Sequence, residues 1–298
     1  MTKRGFSAKT IWLLLKDTAT KWQKDKVSLW AAAIAFYTIF SVAPLLIIAI
    51  AIAGAVFGRE AAQTQIVGQI QELIGKQGAQ AVQVMIQNAQ QPGSGGTLAT
   101  LFGIVTLLLG ASGIFGQLQE ALNTIWNVQP QPGLNIKNFL QKRLLSFAMV
   151  LVIGFLLIVS LVVSALLAAI ANFFGHLFPG WIRLGQILNF IFSLGGTTVL
   201  FASIYKVLPD LKIAWSNLWI GATVTALLFN FGKFLIGLYL GNSSIGSSYG
   251  AASSLVIVLI WVFFSAQILL LGAEFTQVYT QRYRSRMTSN ERNAKAIK

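Results

Sequence analysis

An uncharged stretch of 28 residues, Trp30 to Phe57, constrains the fold more than any other feature of this sequence. The hydrocarbon core of a bilayer is about 30 Å thick, and a helix of roughly 20 apolar residues crosses it. The stretch is therefore long enough to cross a membrane with a tilt, or with a kink at Pro44. A proline at this depth frees a backbone carbonyl, which Ser41 or a neighbouring helix can satisfy. We expect a membrane-spanning helix here.

The composition of the whole chain also requires a lipid environment. Of its 298 residues, 55% are hydrophobic and 10% are charged, whereas a soluble domain carries about 25% charged residues. We therefore expect an all-α fold, with one polytopic membrane domain at residues 30–279 and short interfacial or amphipathic helices. Six transmembrane helices are predicted, at about residues 30–57, 98–115, 144–173, 184–205, 214–240 and 251–275.

The segments outside these spans are amphipathic or basic. Residues 1–29 predict a basic amphipathic helix on the cytoplasmic membrane surface, and residues 280–298 form a basic cytoplasmic tail. The glutamine-rich, outward-facing insertion 58–97 predicts two short amphipathic helices followed by a flexible stretch. Beyond the second span, apolar residues at helical spacing continue the helix as far as Trp126.

Most of the positive charge lies on one predicted side of the membrane. The net charge is +14, and with six spans 18 of the 22 Lys and Arg residues fall on the side of both termini. Three fall on the opposite side, and Lys233 falls inside the fifth span. Because cytoplasmic loops carry an excess of basic residues, we expect both termini in the cytoplasm. Topology accounts for the charge, so we expect the bilayer, and no nucleic acid, as a partner.

The sequence contains no set of residues that is typical of catalysis or of metal binding. Acid–base and metal-assisted hydrolysis require clustered His, Asp or Glu, but the eight acidic residues and the single histidine are scattered along this chain. It has no Walker-type glycine loop, no GxSxG turn and no cysteine. We therefore expect no enzymatic activity, no cofactor and no bound metal.

Polar residues inside the last three spans form one candidate site, because such residues are costly at membrane depth. By the predicted topology they lie in the outer half of the bilayer, where they predict a polar cavity with Lys233 as its fixed positive charge. Such a cavity suits a phosphate or carboxylate group. In the alternative, Lys233 extends to headgroups about 10 Å away and the hydroxyls bond backbone carbonyls. The predicted cavity residues are Asn189, Ser193, Thr197, Asn230, Lys233, Ser253 and Ser254.

Glu274 is the one acidic residue in the sixth predicted span. It lies at the inner end of the span, and by direction it cannot reach Lys233. Two roles are open for it. In the first, it is a structural residue that forms a salt bridge with Lys142, Arg143 or Lys206 at the cytoplasmic interface. In the second, it couples the protein's activity to a proton or another cation.

Three stretches give the chain a resemblance to a known family. They are Asp25-Lys26-Val27 leading into AAAIAFYTIFSVAPLL at 31–46, SGIFGQLQEALNTIWNV at 112–128, and SSLVIVLIWVFFSAQILLLGAEFTQVY at 253–279. In order and spacing they resemble the YihY/BrkB family of bacterial inner-membrane proteins. The resemblance implies a six-helix domain with cytoplasmic termini in the bacterial inner membrane. It also marks family-type positions of unknown role at Ser41, Pro44, Asn123 and Glu274.

Three functions are compatible with these observations. The leading hypothesis is a transporter-like protein that handles an anionic solute or lipid without nucleotide hydrolysis. The alternative is a non-catalytic membrane scaffold that recruits a partner through its basic cytoplasmic face. Members of the family have carried virulence-factor and ribonuclease labels, but a membrane-tethered ribonuclease is the weakest hypothesis because no metal or acid–base cluster is present. The substrate, coupling ion, direction of transport and oligomeric state stay open.

Overall fold

The computed structural model describes residues 8–90, 113–128, 181–211, 213–242 and 253–296, and its regular elements in these ranges are all α-helices. The predicted all-α class is therefore confirmed for this part of the chain. In chain order the helices are α1 (Ala8–Lys24), α2 (Val27–Phe57), α3 (Arg59–Gln90), α4 (113–125), α5 (Trp181–Val207), α6 (Trp215–Asn242) and α7 (Ser253–Ala296).

Three of these helices contain stretches that are long and apolar enough to cross a membrane. They are Phe190–Val207 in α5, Leu218–Tyr239 in α6 and Leu255–Arg282 in α7, and they coincide with the fourth to sixth predicted spans. A shorter apolar stretch, Val27–Phe40, begins α2, where the first span is predicted. Most of the second predicted span and the whole of the third lie outside the described residues, so the number six stays a prediction.

The prediction of two short helices after the first span is wrong, because α3 is one continuous helix of 32 residues. Apolar residues from both halves of α3 join a single buried cluster: Val82 and Ile86 lie in it, and Ile66 packs against it. Ile50 of α2 and Val258 of α7 complete this cluster. Most helical stability in proteins comes from such packing, so the contacts with α2 and α7 stabilise α3 across its internal glycines.

α7 is the central helix of the described structure, because it packs against α1, α2, α3 and α6. Ala266, Leu270 and Ala273 of α7 are buried in the largest apolar cluster, to which α2, α4, α5 and α6 also contribute. The apolar stripe predicted to continue the second span forms α4, and Leu122 and Ile125 of that stripe are fully buried in the same cluster.

α6 and α7 approach closely through a reciprocal pair of glycines and threonines. A Cβ atom on Gly221 would lie 1.8 Å from Thr276 Oγ1, and a Cβ atom on Gly272 would lie 1.9 Å from Thr225 Oγ1. Each threonine hydroxyl donates to the carbonyl four residues earlier in its own helix, Thr225 to Gly221 at 2.7 Å and Thr276 to Gly272 at 2.6 Å. The hydroxyls are therefore satisfied locally, and small residues allow this close packing in an apolar environment.

Tyr205 of α5 joins α6 and α7 in the core. Its side chain is fully buried, and its hydroxyl donates to Leu269 O at 2.6 Å while lying 3.1 Å from Thr225 Oγ1. One hydroxyl group therefore bridges three helices at the glycine–threonine crossing.

We expect the Tyr205→Phe substitution to destabilise the protein by about 1–2 kcal/mol, because it removes these buried hydrogen bonds. The midpoint of thermal unfolding in detergent, followed by tryptophan fluorescence, should fall by about 2–8 °C. Tyr239→Phe is the matched control, since Tyr239 is 57% exposed and its substitution should change stability by less than about 0.5 kcal/mol. Equal midpoints for the two variants would contradict this role of Tyr205.

Candidate functional site

Glu274 lies within the apolar stretch Leu255–Arg282 of α7, and its environment is unusual for a carboxyl group. Its exposed fraction is 0%, and neither side-chain oxygen makes a hydrogen bond of standard geometry in the described structure. A buried polar group without a partner costs about 1–3 kcal/mol, and more if it is charged. The geometry therefore gives no structural reason for an acid at this position.

Two charged side chains, those of Asp25 and Lys21, lie beside Glu274 because α1 is hydrogen-bonded to α7 at this level. Asp25 lies about one helical turn from Lys21 and Trp22, whose side chains bond α7 on either side of Glu274, and this places its carboxyl beside the Glu274 carboxyl. Lys21 supplies the opposite charge. Both residues precede the first predicted span. The N-terminal part of the chain therefore supplies the charged neighbours of Glu274, which lies towards the C-terminal end of the last apolar stretch.

Hydrogen bonds hold α1 against α7 on both sides of Glu274. Lys21 Nζ donates to Gln277 Oε1, and also to Gln281 Oε1 at 3.2 Å. Trp22 Nε1 donates to Gln267 Oε1 at 3.1 Å, and Gln267 Nε2 donates to Ser28 Oγ at 3.0 Å. We call this polar contact region the α1–α7 junction, formed by Lys21, Trp22, Asp25, Ser28, Gln267, Glu274, Gln277 and Gln281.

The turn between α1 and α2 places Asp25 at the junction. Lys26 adopts the left-handed conformation, with φ 53° and ψ 43°, and α2 begins at the next residue. The Asp25 backbone N–H donates to Lys21 O at 2.8 Å, while Val27 is completely buried. Asp25 itself is half-buried. The tight turn therefore holds one carboxyl at the boundary between the buried Glu274 and solvent.

An ion pair and a groove lie beside the junction. Arg282 of α7 pairs with Asp17 of α1, and these side chains are 31% and 44% exposed. A groove of about 220 Å³ opens between the two helices, and Lys21 lines it together with both members of this pair. Solvent thus reaches the lysine that interacts with Glu274.

Of the three residues predicted to pair with Glu274, only Lys206 is described, and it bonds elsewhere. Lys206 donates to the carbonyl of Ile213, and its ammonium lies 5.7 Å from the centre of the Trp215 ring. Lys142 and Arg143 are outside the described residues. The group of opposite charge that the structure brings to Glu274 is Lys21.

Four of the predicted cavity residues have described side chains. Ser193 is exposed, Thr197 Oγ1 donates to Ser193 O at 2.8 Å, and Asn230 Nδ2 donates to Ala226 O at 2.9 Å. Lys233 follows on α6 and is half-buried. Thr197 and Asn230 thus bond their own helices, as the alternative interpretation expects. The side chains of Asn189, Ser253 and Ser254 lie outside the described ones, so the cavity stays a prediction.

Asn123, a family-type position by resemblance, clamps the turn between α5 and α6. Its Nδ2 donates to Asp210 Oδ2 at 3.0 Å, and the Asp210 backbone N–H donates back to Asn123 Oδ1 at 2.9 Å. Gln119 Nε2 donates to the other carboxylate oxygen at 3.0 Å. At the remaining family-type positions, α2 continues as one helix, and the side chains of Ser41 and Pro44 lie outside the described ones.

The sequence reasoning missed Asp25 and the glutamines of α7 as site residues. A signal for the glutamines exists, because Gln267, Glu274 and Gln281 recur every seven residues and therefore share one helix face. No comparable pattern identifies Asp25, since its proximity to Glu274 depends on how α1 packs. The described residues contain no cluster of three or more side chains suited to a metal.

Apolar helices of membrane-spanning length around a buried acid define a helical integral membrane protein. The chain belongs to the family described as Virulence factor BrkB, which matches residues 18–297. The resemblance seen in the three sequence stretches is thereby confirmed.

Similar curated proteins are named UPF0761 membrane proteins. The one from Aeromonas salmonicida is 26% identical over 277 residues, which cover 91% of this chain and 88% of the relative. Those from Tolumonas auensis and Alteromonas mediterranea are each 32% identical, over 59% and 58% of this chain. These two matches span 56% and 57% of the relatives' own lengths. No solved structure matches the chain.

Proposed function

We propose that the protein is a transporter of the bacterial inner membrane that moves an anionic solute or an anionic lipid without nucleotide hydrolysis. The burial of the Glu274 carboxyl, without a hydrogen bond of standard geometry in the described structure, carries this proposal. Ionisable residues within membrane-spanning helices are rare and mark ion pathways and proton relays. A passive scaffold has no use for a buried acid without a hydrogen bond of standard geometry.

The position of Lys233 supports an anionic substrate. A Cβ atom on the neighbouring Gly232 would lie 2.3 Å from Ile268 Cδ1, and Ile268 is close to the middle of the apolar stretch Leu255–Arg282. The backbone of Lys233 is therefore packed beside α7, and it lies six residues before the end of its own apolar stretch, Leu218–Tyr239. A lysine there favours a phosphate or carboxylate group, because the approach of an anion compensates its charge.

The remaining parts of the proposal follow from charge placement and chemistry. We place both termini in the cytoplasm, since 18 of the 22 Lys and Arg residues lie on that side of a six-span topology. We assign no catalytic activity and no cofactor to the protein.

The test is reconstitution into liposomes of phosphatidylethanolamine and phosphatidylglycerol. Fluorescently labelled phosphatidylglycerol reports lipid movement through dithionite quenching, and radiolabelled inorganic phosphate reports solute movement. We expect the wild type to move one of the two probes. Lys233→Ala should slow that movement by about tenfold or more, because a bond to a charged group is worth about 1.5–3 kcal/mol.

Arg59→Ala is the matched control. In the predicted topology Lys233 lies in the outer half of the bilayer, and Arg59 is an exposed basic residue just outside the membrane on that side. It should leave the movement unchanged at equal protein abundance. The proposal fails if folded wild-type protein, checked by circular dichroism, moves neither probe faster than protein-free liposomes.

A scaffold function has one observation in its favour. α7 continues as a single helix to Ala296, well beyond the apolar stretch that ends at Arg282. A basic helix that extends from the membrane suits the recruitment of an acidic partner. If this is the function, deletion of residues 284–298 abolishes it in cells, whereas the Lys233→Ala variant retains it.

A further inference from the structure

We propose that Asp25 and Glu274 form a carboxyl pair that binds one proton and exchanges it with the solvent on the α1 side of the bundle. This inference rests on the proposed function and adds to it that this proton is the coupling ion. It assigns a site to the junction between the N-terminal helix and the last membrane-spanning helix, and it gives the two carboxyls different tasks.

Glu274 is the buried member of the pair. Its side chain is completely excluded from solvent, and both oxygens lack a standard hydrogen bond within the described residues. The backbone N–H groups around it are used within α7, and no described group donates a hydrogen bond of standard geometry to the carboxyl. A proton shared with Asp25 removes a buried charge and supplies the missing hydrogen bond in one step.

Asp25 is the exchanging member of the pair. It is half-buried at the end of α1, and the left-handed Lys26 fixes it there. Because Asp25 is the more exposed of the two, a proton that arrives from solvent meets Asp25 first and is then transferred to Glu274. The O–H bond to one carboxyl breaks as the bond to the other forms, so the transfer requires no further reactant.

The charge balance favours one proton rather than two. Asp25 and Glu274 carry two negative charges when ionised, and Lys21 carries one positive charge beside them. Binding one proton therefore makes the group of three neutral, which is the favourable state in an apolar environment. Gln277 and Gln281 hold the Lys21 ammonium in place through its hydrogen bonds.

The other helices packed around α7 do not change this balance. α2 has no charged residue in its sequence, and α6 has only Lys233. α3 carries Arg59, Glu60, Glu72 and Lys76, but the apolar cluster that it shares with α7 is at Val258, Trp261 and Val262, at least 12 residues before Glu274. Asp25 and Lys21 are the charged side chains that the packing of α1 brings beside Glu274. Asp17 and Arg282 neutralise each other nearby.

A proton fits this pair better than a metal ion. Calcium takes about 6–8 oxygen ligands and magnesium about six, and the described residues contain no cluster of three or more metal-ligating side chains. A carboxyl pair binds a proton without any additional ligand. The positive charge of Lys21 beside the pair also repels a metal cation.

Infrared difference spectroscopy tests the pair directly. Purified protein in phosphatidylethanolamine and phosphatidylglycerol bilayers is perfused from about pH 5 to about pH 9, a range in which exposed carboxyls stay mostly ionised. We expect a pH-dependent C=O stretching band of a protonated carboxyl in the wild type. Glu274→Gln should abolish the band, and Asp25→Asn should change its frequency, because the shared hydrogen bond is lost.

Asp17→Asn is the matched control, since it removes a carboxyl of α1 that is paired with Arg282, and it should leave the band unchanged. Absence of the band in the wild type overturns the inference. A band that Asp25→Asn leaves unaltered overturns the pair in favour of Glu274 alone. Glu274→Gln changes a fully buried residue and can fail to fold. Asp25→Asn changes a half-buried residue at the end of α1, so it tests the pair even in that case.

The transport assay separates this inference from the proposed function. Movement of a probe that is independent of an imposed proton gradient, together with absence of the band, overturns the proton pair and leaves transport intact. The band without movement of either probe supports proton binding by the pair and overturns transport. Movement that follows the gradient and is lost in both carboxyl variants supports both.

Discussion

Substitution of Gly272 by alanine is expected to lower the free energy of unfolding by about 2 kcal/mol. The added Cβ would lie 1.9 Å from Thr225 Oγ1 and 2.7 Å from the Tyr205 hydroxyl. Thr225 and Tyr205 are both fully buried, so neither can move away without disturbing the contacts among α5, α6 and α7. Overpacking of this kind costs about 1–3 kcal/mol or more, which exceeds the gain of up to about 1 kcal/mol in helix propensity.

The measurement is thermal unfolding in detergent, where we expect the midpoint to fall by about 4–8 °C. Gly237→Ala on α6 is the matched control, because a Cβ there meets nothing within 4 Å, and it should be neutral or slightly stabilising. The double variant Gly272→Ala/Thr225→Ala should be more stable than additivity of the single variants predicts, since it removes the closest clashing atom. Strict additivity would show that the clash is not the cause.

The Asn123→Asp substitution is expected to have the second-largest effect, with a loss of about 1–3 kcal/mol. It replaces the amide that donates to Asp210 Oδ2 at 3.0 Å with a second carboxylate. Two like charges then face each other where a hydrogen bond was present. Because the clamp joins α4 to the turn between α5 and α6, its loss should also increase protease cleavage near residues 208–211.

An exchange of the two side chains provides the control. In the double variant Asn123→Asp/Asp210→Asn, the amide and the carboxylate change places, and the hydrogen bond between them can form again. Most of the lost stability should return, whereas Asn123→Asp alone stays destabilised at neutral pH. The clamp is refuted if the double variant is no more stable than the single one. Thermal unfolding and limited proteolysis measure both outcomes.

Several elements of the fold could be predicted from local composition. α5, α6 and α7 coincide with three predicted spans because long apolar helices have one stable environment, the bilayer. α1 and α4 were predicted from apolar residues at helical spacing. The continuity of α3 could not be predicted, since the packing of Val82 and Ile86 against other helices overrides its internal glycines.

The site was predictable only in part. Glu274 was identified because an acid within an apolar span is unusual in any sequence. Of its three predicted partners, Lys206 instead bonds to Ile213 and lies over Trp215, whereas Lys142 and Arg143 lie outside the described residues. The family-type role of Asn123 was equally unpredictable, since Asp210 is 87 residues away.

By itself, the sequence determined the environment, the helical class and the position of one unusual acid. These properties depend on the hydrophobicity and the spacing of residues along a single helix, and both can be read from residues that are close together in the sequence. Only the tertiary structure decided that α1 packs against α7 and brings Lys21 and Asp25 to Glu274. That arrangement joins residues about 250 positions apart, and it depends on the shape and hydrogen bonds of two surfaces that no local pattern records.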